Sequence, residues 1–318
     1  MKFELIAGDC LQSLRNMDDQ SVDLVFTSPP YPLKTMRYDG EARRKMKWTE
    51  WVDWMAEVIG ECARVSRGFV MVNANNPVVK GECIPAVEHL VVKCCAAGLK
   101  IERPIVWHKN SPPNKREWWV NCWEPVYAFY SAGRRPRTWN WEAVASPPKY
   151  TKGGAFRQRN AKGERKLGGS YPTAKLARPR DVWYITVGGG HLGSADAHLN
   201  EAPFPEKLVE PAIRALTNPG DTVLDPFVGS GTTVAVAVSL GRIGIGIDVR
   251  ESQLRMARMR VRKSFAASAA QSGLLCGGKK TKTRKAKTNA NENGGSKTDK
   301  PTRSTELPEQ SPTEEVRA

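Results

Sequence analysis

The sequence predicts an α/β fold built on a largely parallel sheet flanked by helices. Three observations predict it. Short apolar runs recur along the chain, stretches with helical spacing separate them, and the two kinds alternate rather than cluster. Phe3–Ala7 and residues 22–27 read as strands. Trp51, Met55, Val58 and Ile59 then fall on one helical face. Residues 68–73 read as a strand, 84–97 as a helix, and 101–107 and 125–130 as further strands. After residue 180 the alternation resumes with a strand at 182–185, a helix at 206–216 and a strand at 222–224. A helix at 232–240, a strand at 243–247 and an amphipathic helix at 251–261 complete it. No internal repeat is visible.

Between these two blocks, residues 133–180 lose hydrophobic periodicity. They carry thirteen Lys or Arg against two acids, together with Trp139, Trp141, Tyr150, Phe156 and Tyr171. Basic side chains interleaved with aromatics suit phosphate contact and base stacking. The candidate contacts are Arg134, Arg135, Arg137, Lys149, Lys152, Arg157, Arg159, Lys162, Arg165 and Lys166. A solvated surface loop is the plain alternative. The expected organisation is therefore 1–132, a basic insert at 133–180, a second block at 181–265, and a polar tail at 266–318 that is too poor in apolar residues to fold alone.

A net charge of +16 over 318 residues points to a polyanionic partner, nucleic acid first. No apolar stretch approaches the roughly 20 residues that cross a membrane, and the first residues read as a charged strand rather than a signal peptide. Cytoplasm is the expected compartment. Seven cysteines, odd in number and without metal-type spacing, read as reduced, buried thiols. His108 and His198 also lack ligand spacing, and no metal is expected. Trp118, Trp119 and Trp123 are expected to pack beneath a sheet edge rather than to contact DNA.

Two strings carry the chemistry. The first is Thr27-Ser28-Pro29-Pro30-Tyr31 at a strand end. A ring-conjugated amine is a poor nucleophile because its lone pair is delocalised. Accepting hydrogen bonds from both amine protons would turn that pair toward an electrophile. Ser28 offers a hydroxyl oxygen, Pro29 a carbonyl, the double proline stiffness, and Tyr31 a flat face for an extruded base. Alone, such a loop is more often a turn or a proline-rich ligand.

The second string is Asp225-Pro226-Phe227-Val228-Gly229-Ser230-Gly231-Thr232-Thr233. Its glycines allow a tight strand-to-helix turn, and a helix start, with its partial positive charge, favours an anionic group nearby. It lacks the Gly-Lys pair of a phosphate loop and the third glycine of a dinucleotide turn, which disfavours both ligands. Asp248 closes the next strand at about the 20-residue spacing of a ribose-binding acid. Asp9, in Gly8-Asp9-Cys10, reads equally as a helix cap and as a cofactor contact.

With both strings in this order, the chain resembles the β group of S-adenosylmethionine-dependent DNA amino-methyltransferases, in which the amine motif precedes the cofactor motif. Gly8-Asp9-Cys10, Ser21-Val22-Asp23-Leu24-Val25, Pro203-Phe204-Pro205-Glu206-Lys207-Leu208 and the run from Pro219 to Phe227 support the resemblance, which spans residues 3–262. It implies a Rossmann-like class I methyltransferase sheet with permuted motif order and a basic target-recognition insert. It also implies S-adenosylmethionine as cofactor and double-stranded DNA as substrate, with a cognate restriction endonuclease as an optional partner and nucleoid association through DNA. Carried over by position, Asp225 lies by the methionine moiety, Asp248 holds the ribose, Asp9 lies near the adenine, and Phe204 and Pro205 line the pocket. Thr27 and the turn residues Pro226, Phe227, Gly229, Gly231, Thr232 and Thr233 belong to the same side. Ser28, Pro29, Pro30 and Tyr31 hold the target base.

The family pattern often has Ser for cytosine and Asp for adenine at the head of the amine motif, so Ser28 favours cytosine-N4. The expected reaction is direct attack of the amine on the methyl group, with no cysteine nucleophile. Adenine-N6 methylation, a non-catalytic DNA-binding protein, and an RNA or protein substrate are the rivals.

Overall fold

The computed structural model describes residues 2–31, 37–38, 41–42, 46–110, 119–133, 135–136, 138–148, 154–171, 175–187 and 204–276. The first block contains β1 (Phe3–Ala7), α1 (Cys10–Arg15), β2 (Leu24–Thr27), β3 (Arg37–Tyr38), β4 (Glu41–Ala42) and α2 (Trp48–Val65). It continues with β5 (Val70–Asn73), β6 (Val78–Val79), β7 (Glu82–Cys83), α3 (Ala86–Ala96), β8 (Leu99–Ile101), β9 (Ile105–His108) and β10 (Trp123–Ser131). The insert contributes a 3-10 turn at Trp141–Val144, β11 (Gly154–Arg159) and β12 (Arg165–Tyr171). Then come β13 (Val182–Tyr184), α4 (Glu206–Leu216), β14 (Thr222–Asp225), α5 (Thr232–Ser239), β15 (Ile243–Asp248) and α6 (Glu251–Cys276).

The main sheet runs β1-β15-β14-β2-β5-β10-β9-β13, with β8 also paired to β10. Its centre is parallel: β14 pairs β2 and β2 pairs β5 in that sense. β10 is antiparallel to β5, so its first residues reach the same edge as the last residues of β2 and β14.

Period-2 alternation builds two apolar layers. Val25, Val70 and Val72 face α1, α2 and α3, whereas Leu24, Phe26, Phe69 and Met71 face α4. Burying a side chain such as Leu24 or Phe26 stabilises the fold by about 1.5–3 kcal/mol, so both sheet faces must be covered. A third cluster packs α5 and α6 over β1. The chain leaves β14 through α5 toward β15 on one side and leaves β2 through α2 toward β5 on the other. The boundary between β14 and β2 is therefore the switch point, where open α/β sheets form a crevice beyond their strand ends.

Four expectations differ from what is observed. The single strand expected at 101–107 is two, β8 and β9, because Pro104 between them has no N–H to give a ladder. The insert, read as aperiodic, contains the hairpin β11–β12. Its turn is fixed by the Asn160 side chain, whose Oδ1 accepts from the Lys162 and Glu164 amides at 3.0 Å, and by Gly163 at φ 79°. α6 runs to Cys276, ten residues past the expected start of the tail, through an Ala-rich stretch of high helix propensity. The rest of the expected tail, from residue 277, lies outside the described residues.

The fourth concerns exposure. Trp119 is 83% and Trp123 50% exposed, so neither packs beneath the sheet edge, and Trp118 lies outside the described residues. Among the cysteines, Cys10, Cys62 and Cys94 are buried as expected, but Cys83 and Cys95 are exposed. Among the described residues no helix is long and apolar enough to cross a membrane.

Candidate active site

The two motifs meet at the switch point. Thr27 ends β2, Asp225 ends β14, and the Thr27 hydroxyl donates to Asp225 Oδ1 at 2.7 Å across 198 residues of sequence. The Thr233 hydroxyl, from the first turn of α5, donates to Oδ2 at 2.7 Å, and the Phe227 amide donates to Oδ1 at 3.0 Å. Asp225 is fully buried. Burial pushes its carboxyl up to about 6, against the pull of those three donors. A carboxylate enclosed in this way joins the two loops and shapes the cleft from beneath.

The glycine turn is shaped by its own packing. Gly229 and Gly231 sit at φ 48° and 86°, the left-handed region that glycine occupies without strain. A Cβ on Gly231 would lie 2.7 Å from that of Ala257, so α6 also requires glycine there. The Thr232 hydroxyl accepts from Arg260 at 2.8 Å, and the same guanidinium donates to Glu206 at 2.8 Å. Thr232 and Thr233 thus turn their hydroxyls inward. Pro226 and Pro205 are buried. Phe227 meets Trp54 edge-on at 5.5 Å, and Phe204 lies 6.1 Å from the Phe26 ring.

Two further acids stand at the neighbouring strand ends. Asp248 Oδ2 accepts from the Gly229 amide at 3.0 Å, and Oδ1 from the Arg250 amide at 2.9 Å and its Nε at 3.1 Å. β1 runs beside β15 with Ala7 opposite Asp248, which brings Asp9 to the same edge. Asp9 caps α1, with Oδ1 accepting from the Leu11 and Gln12 amides at 2.9 and 3.1 Å. Carboxylates accept and do not donate, so this set of acceptors suits hydroxyls and amines rather than phosphates. That chemistry fits S-adenosylmethionine, a nucleoside without phosphate.

On the other side of Thr27, the amine loop is held from two directions. Trp51 Nε1 donates to the Pro30 carbonyl at 2.7 Å, which leaves the Pro29 carbonyl as the loop's other candidate acceptor. Tyr31 donates its phenol proton to Glu124 Oε2 at 2.7 Å, with the Ser28 side chain also bonded to the phenol. Burial, reinforced by the Glu124 charge, holds the Tyr31 phenol well above its ordinary range, so it remains a proton donor. Lys109 pairs with the other oxygen of Glu124. Trp51, Lys109 and Glu124 were not among the sequence candidates. Glu124 did carry a signal, as a single acid inside the apolar run of β10.

The basic candidates are placed in part. Arg159, Lys162 and Arg165 are exposed on and beside the β11–β12 hairpin. Arg135 is exposed and pairs with Glu102 at 2.7 Å. The backbones of Arg157 and Lys166 lie in the hairpin, but their side chains lie outside the described residues, as do Arg134, Arg137, Lys149 and Lys152 altogether. Among the described residues no cluster of His, Cys, Asp or Glu could hold a metal ion. The His108 ring lies 5.1 Å from that of Tyr184, tilted by 49°, and His198 lies outside the described residues.

Known proteins resemble this chain in sequence and in fold. The sequence profile of the N6/N4 DNA methylase family matches residues 22–259. DNA adenine methyltransferase YhdJ of Escherichia coli (strain K12) is 30% identical over 264 residues, covering 81% of this chain and 82% of that protein. PvuII DNA methyltransferase, described as cytosine-N4-specific, superposes with a TM-score of 0.61 at 21% identity, over 85% of this chain and 93% of its own. TTHA0409 of Thermus thermophilus, solved with S-adenosyl-L-methionine, superposes with a TM-score of 0.57 at 24% identity, over 83% and 94%. Both structures share the Rossmann-like fold seen here. By its matched sequence, this chain belongs to the N6/N4 DNA methylase family of amino-methyltransferases.

Proposed function

We propose that this DNA amino-methyltransferase methylates N4 of a cytosine turned out of duplex DNA. The observation that carries the reading is the Thr27–Asp225 hydrogen bond, which fixes the amine loop and the cofactor turn at one switch point. S-adenosylmethionine, when bound, supplies a methyl group made electrophilic by its sulfonium. Asp248 accepts from the ribose hydroxyls, sharing its oxygens with Arg250, and Asp9 lies toward the adenine. Phe204, Pro205 and the turn from Pro226 to Thr233 wall the pocket. Asp225 shapes it through Thr27 and Thr233 rather than by direct contact.

On the amine side, Ser28 Oγ and the Pro29 carbonyl accept hydrogen bonds from the two amine N–H groups and turn the nitrogen lone pair toward the methyl group. Tyr31 presents its ring to the extruded base. Ser28 at the head of the motif favours cytosine. A second reading, adenine-N6, is favoured by the name of the Escherichia coli relative, since both ring amines need the same two acceptors. The exposed Arg159, Lys162 and Arg165 take DNA phosphates.

Ser28→Ala tests the assignment. Loss of one acceptor made for the transition state lowers the single-turnover rate by about tenfold or more, with cofactor affinity unchanged. A variant that keeps the full rate would remove Ser28 from the chemistry.

A further inference from the structure

We propose that Glu124 is a positioning residue of the amine site, holding the Tyr31 ring by its phenol while Lys109 neutralises it. The inference deepens the proposed function and rests on it.

Glu124 is the second residue of β10, and the antiparallel course of that strand delivers it to the edge where β2 ends. It is 7% exposed. One carboxylate oxygen takes the Tyr31 phenol at 2.7 Å and the other takes the Lys109 ammonium. Lys109 Nζ also lies 5.7 Å from the centre of the Trp107 ring.

Stability does not account for this group. Two charges withdrawn from water gain little net, and replacing such a pair with well-packed apolar residues is often neutral or favourable. The pair makes sense through what it touches. Tyr31 is fixed at its backbone by the double proline and the Trp51 bond to Pro30, and at its tip by Glu124. The ring between those points cannot swing. A base stacked on it stays oriented toward Ser28 and Pro29, and misplacement by about 1 Å can cost on the order of 100-fold in rate. Lys109 occupies the second carboxylate oxygen, which leaves the first to accept from the phenol.

A double-mutant cycle on the full chain, with unmethylated plasmid DNA and tritiated S-adenosylmethionine, tests this. Glu124→Ala is expected to lower kcat by about tenfold or more, while the KM for cofactor stays within about twofold. Glu124→Gln, whose amide oxygen still accepts from the phenol, recovers part of that loss. In a Tyr31→Phe background, Glu124→Ala adds less than about threefold, because the bond through which it acts is already gone. If Glu124→Ala folds poorly, Lys109→Met with Glu124→Leu removes both charges together, and this pair variant is expected to keep its Tm and still be slow. Full activity in the folded pair variant, or additive losses in the cycle, would overturn the positioning role while leaving the proposed function intact. No methyl transfer to DNA by the unmodified protein would overturn both.

Discussion

The joint between the motifs and the rim of the amine loop lie one residue apart, at Thr27 and Ser28, and are built in opposite ways. At the joint every polar partner is internal: the Asp225 carboxylate takes two hydroxyls and an amide, and the group is sealed from solvent. At the rim, Ser28 and Tyr31 remain partly exposed, anchored from behind by Trp51 and Glu124. Saturated hydrogen bonds in a low-dielectric interior are stiff and costly to disturb, whereas a site for a visiting base needs acceptors left open. On the proposed function, the motif string divides its labour, with some residues fixing the strand ends and others left open to the base.

The largest way to break that contrast is Asp225→Ala. It strands two hydroxyls and an amide, each unsatisfied group costing about 1–3 kcal/mol. A loss of about 3–5 kcal/mol in urea unfolding is expected, and a loss below about 1 kcal/mol would mean the joint is not where stability resides.

Next comes pH. The Asp225 carboxyl is held at about 6 in the fold against 3.8 when free. Because the folded value is the higher one, this group's contribution is fully present below about pH 4 and is lost as pH rises through about 6. Relative to Asp225→Asn, the protein should lose on the order of 3 kcal/mol across that window and change little above it. A pH-independent difference would refute the buried-acid assignment.

Ser28→Ala is the mirror image of Asp225→Ala. It should cost rate by about tenfold, near ~1.4 kcal/mol, yet leave unfolding within about 0.5 kcal/mol. A variant that unfolds early would place Ser28 in the joint instead. The smallest effect is expected at the exposed hairpin. Arg159→Ala with Arg165→Ala should weaken DNA binding across all sequences and reduce the salt slope by about 2, one per phosphate contact. An unchanged slope would move the DNA path elsewhere.

Both motif strings were legible because each is local, with its chemistry set by spacing and turn residues. Period-2 and helical spacing located β1, β2, α2, β5, α4 and β14 for the same reason. Glu124 was not legible as part of the site, since its bond to Tyr31 spans 93 residues and depends on β10 running antiparallel. Inward-turned Thr232 and Thr233 were hidden likewise, because their partners lie on β14 and α6. The insert hairpin rests on Asn160 and Gly163, a turn signal that charge-rich flanks obscured. Pro104 was a readable break in the strand expected at 101–107.

The most direct test of the whole reading is incubation with labelled S-adenosylmethionine and unmethylated double-stranded DNA, followed by mass analysis of the released nucleosides. N4-methylcytosine is the predicted product. N6-methyladenine would keep the site and contradict the cytosine assignment drawn from Ser28, and unlabelled DNA with cofactor bound would contradict DNA as the substrate.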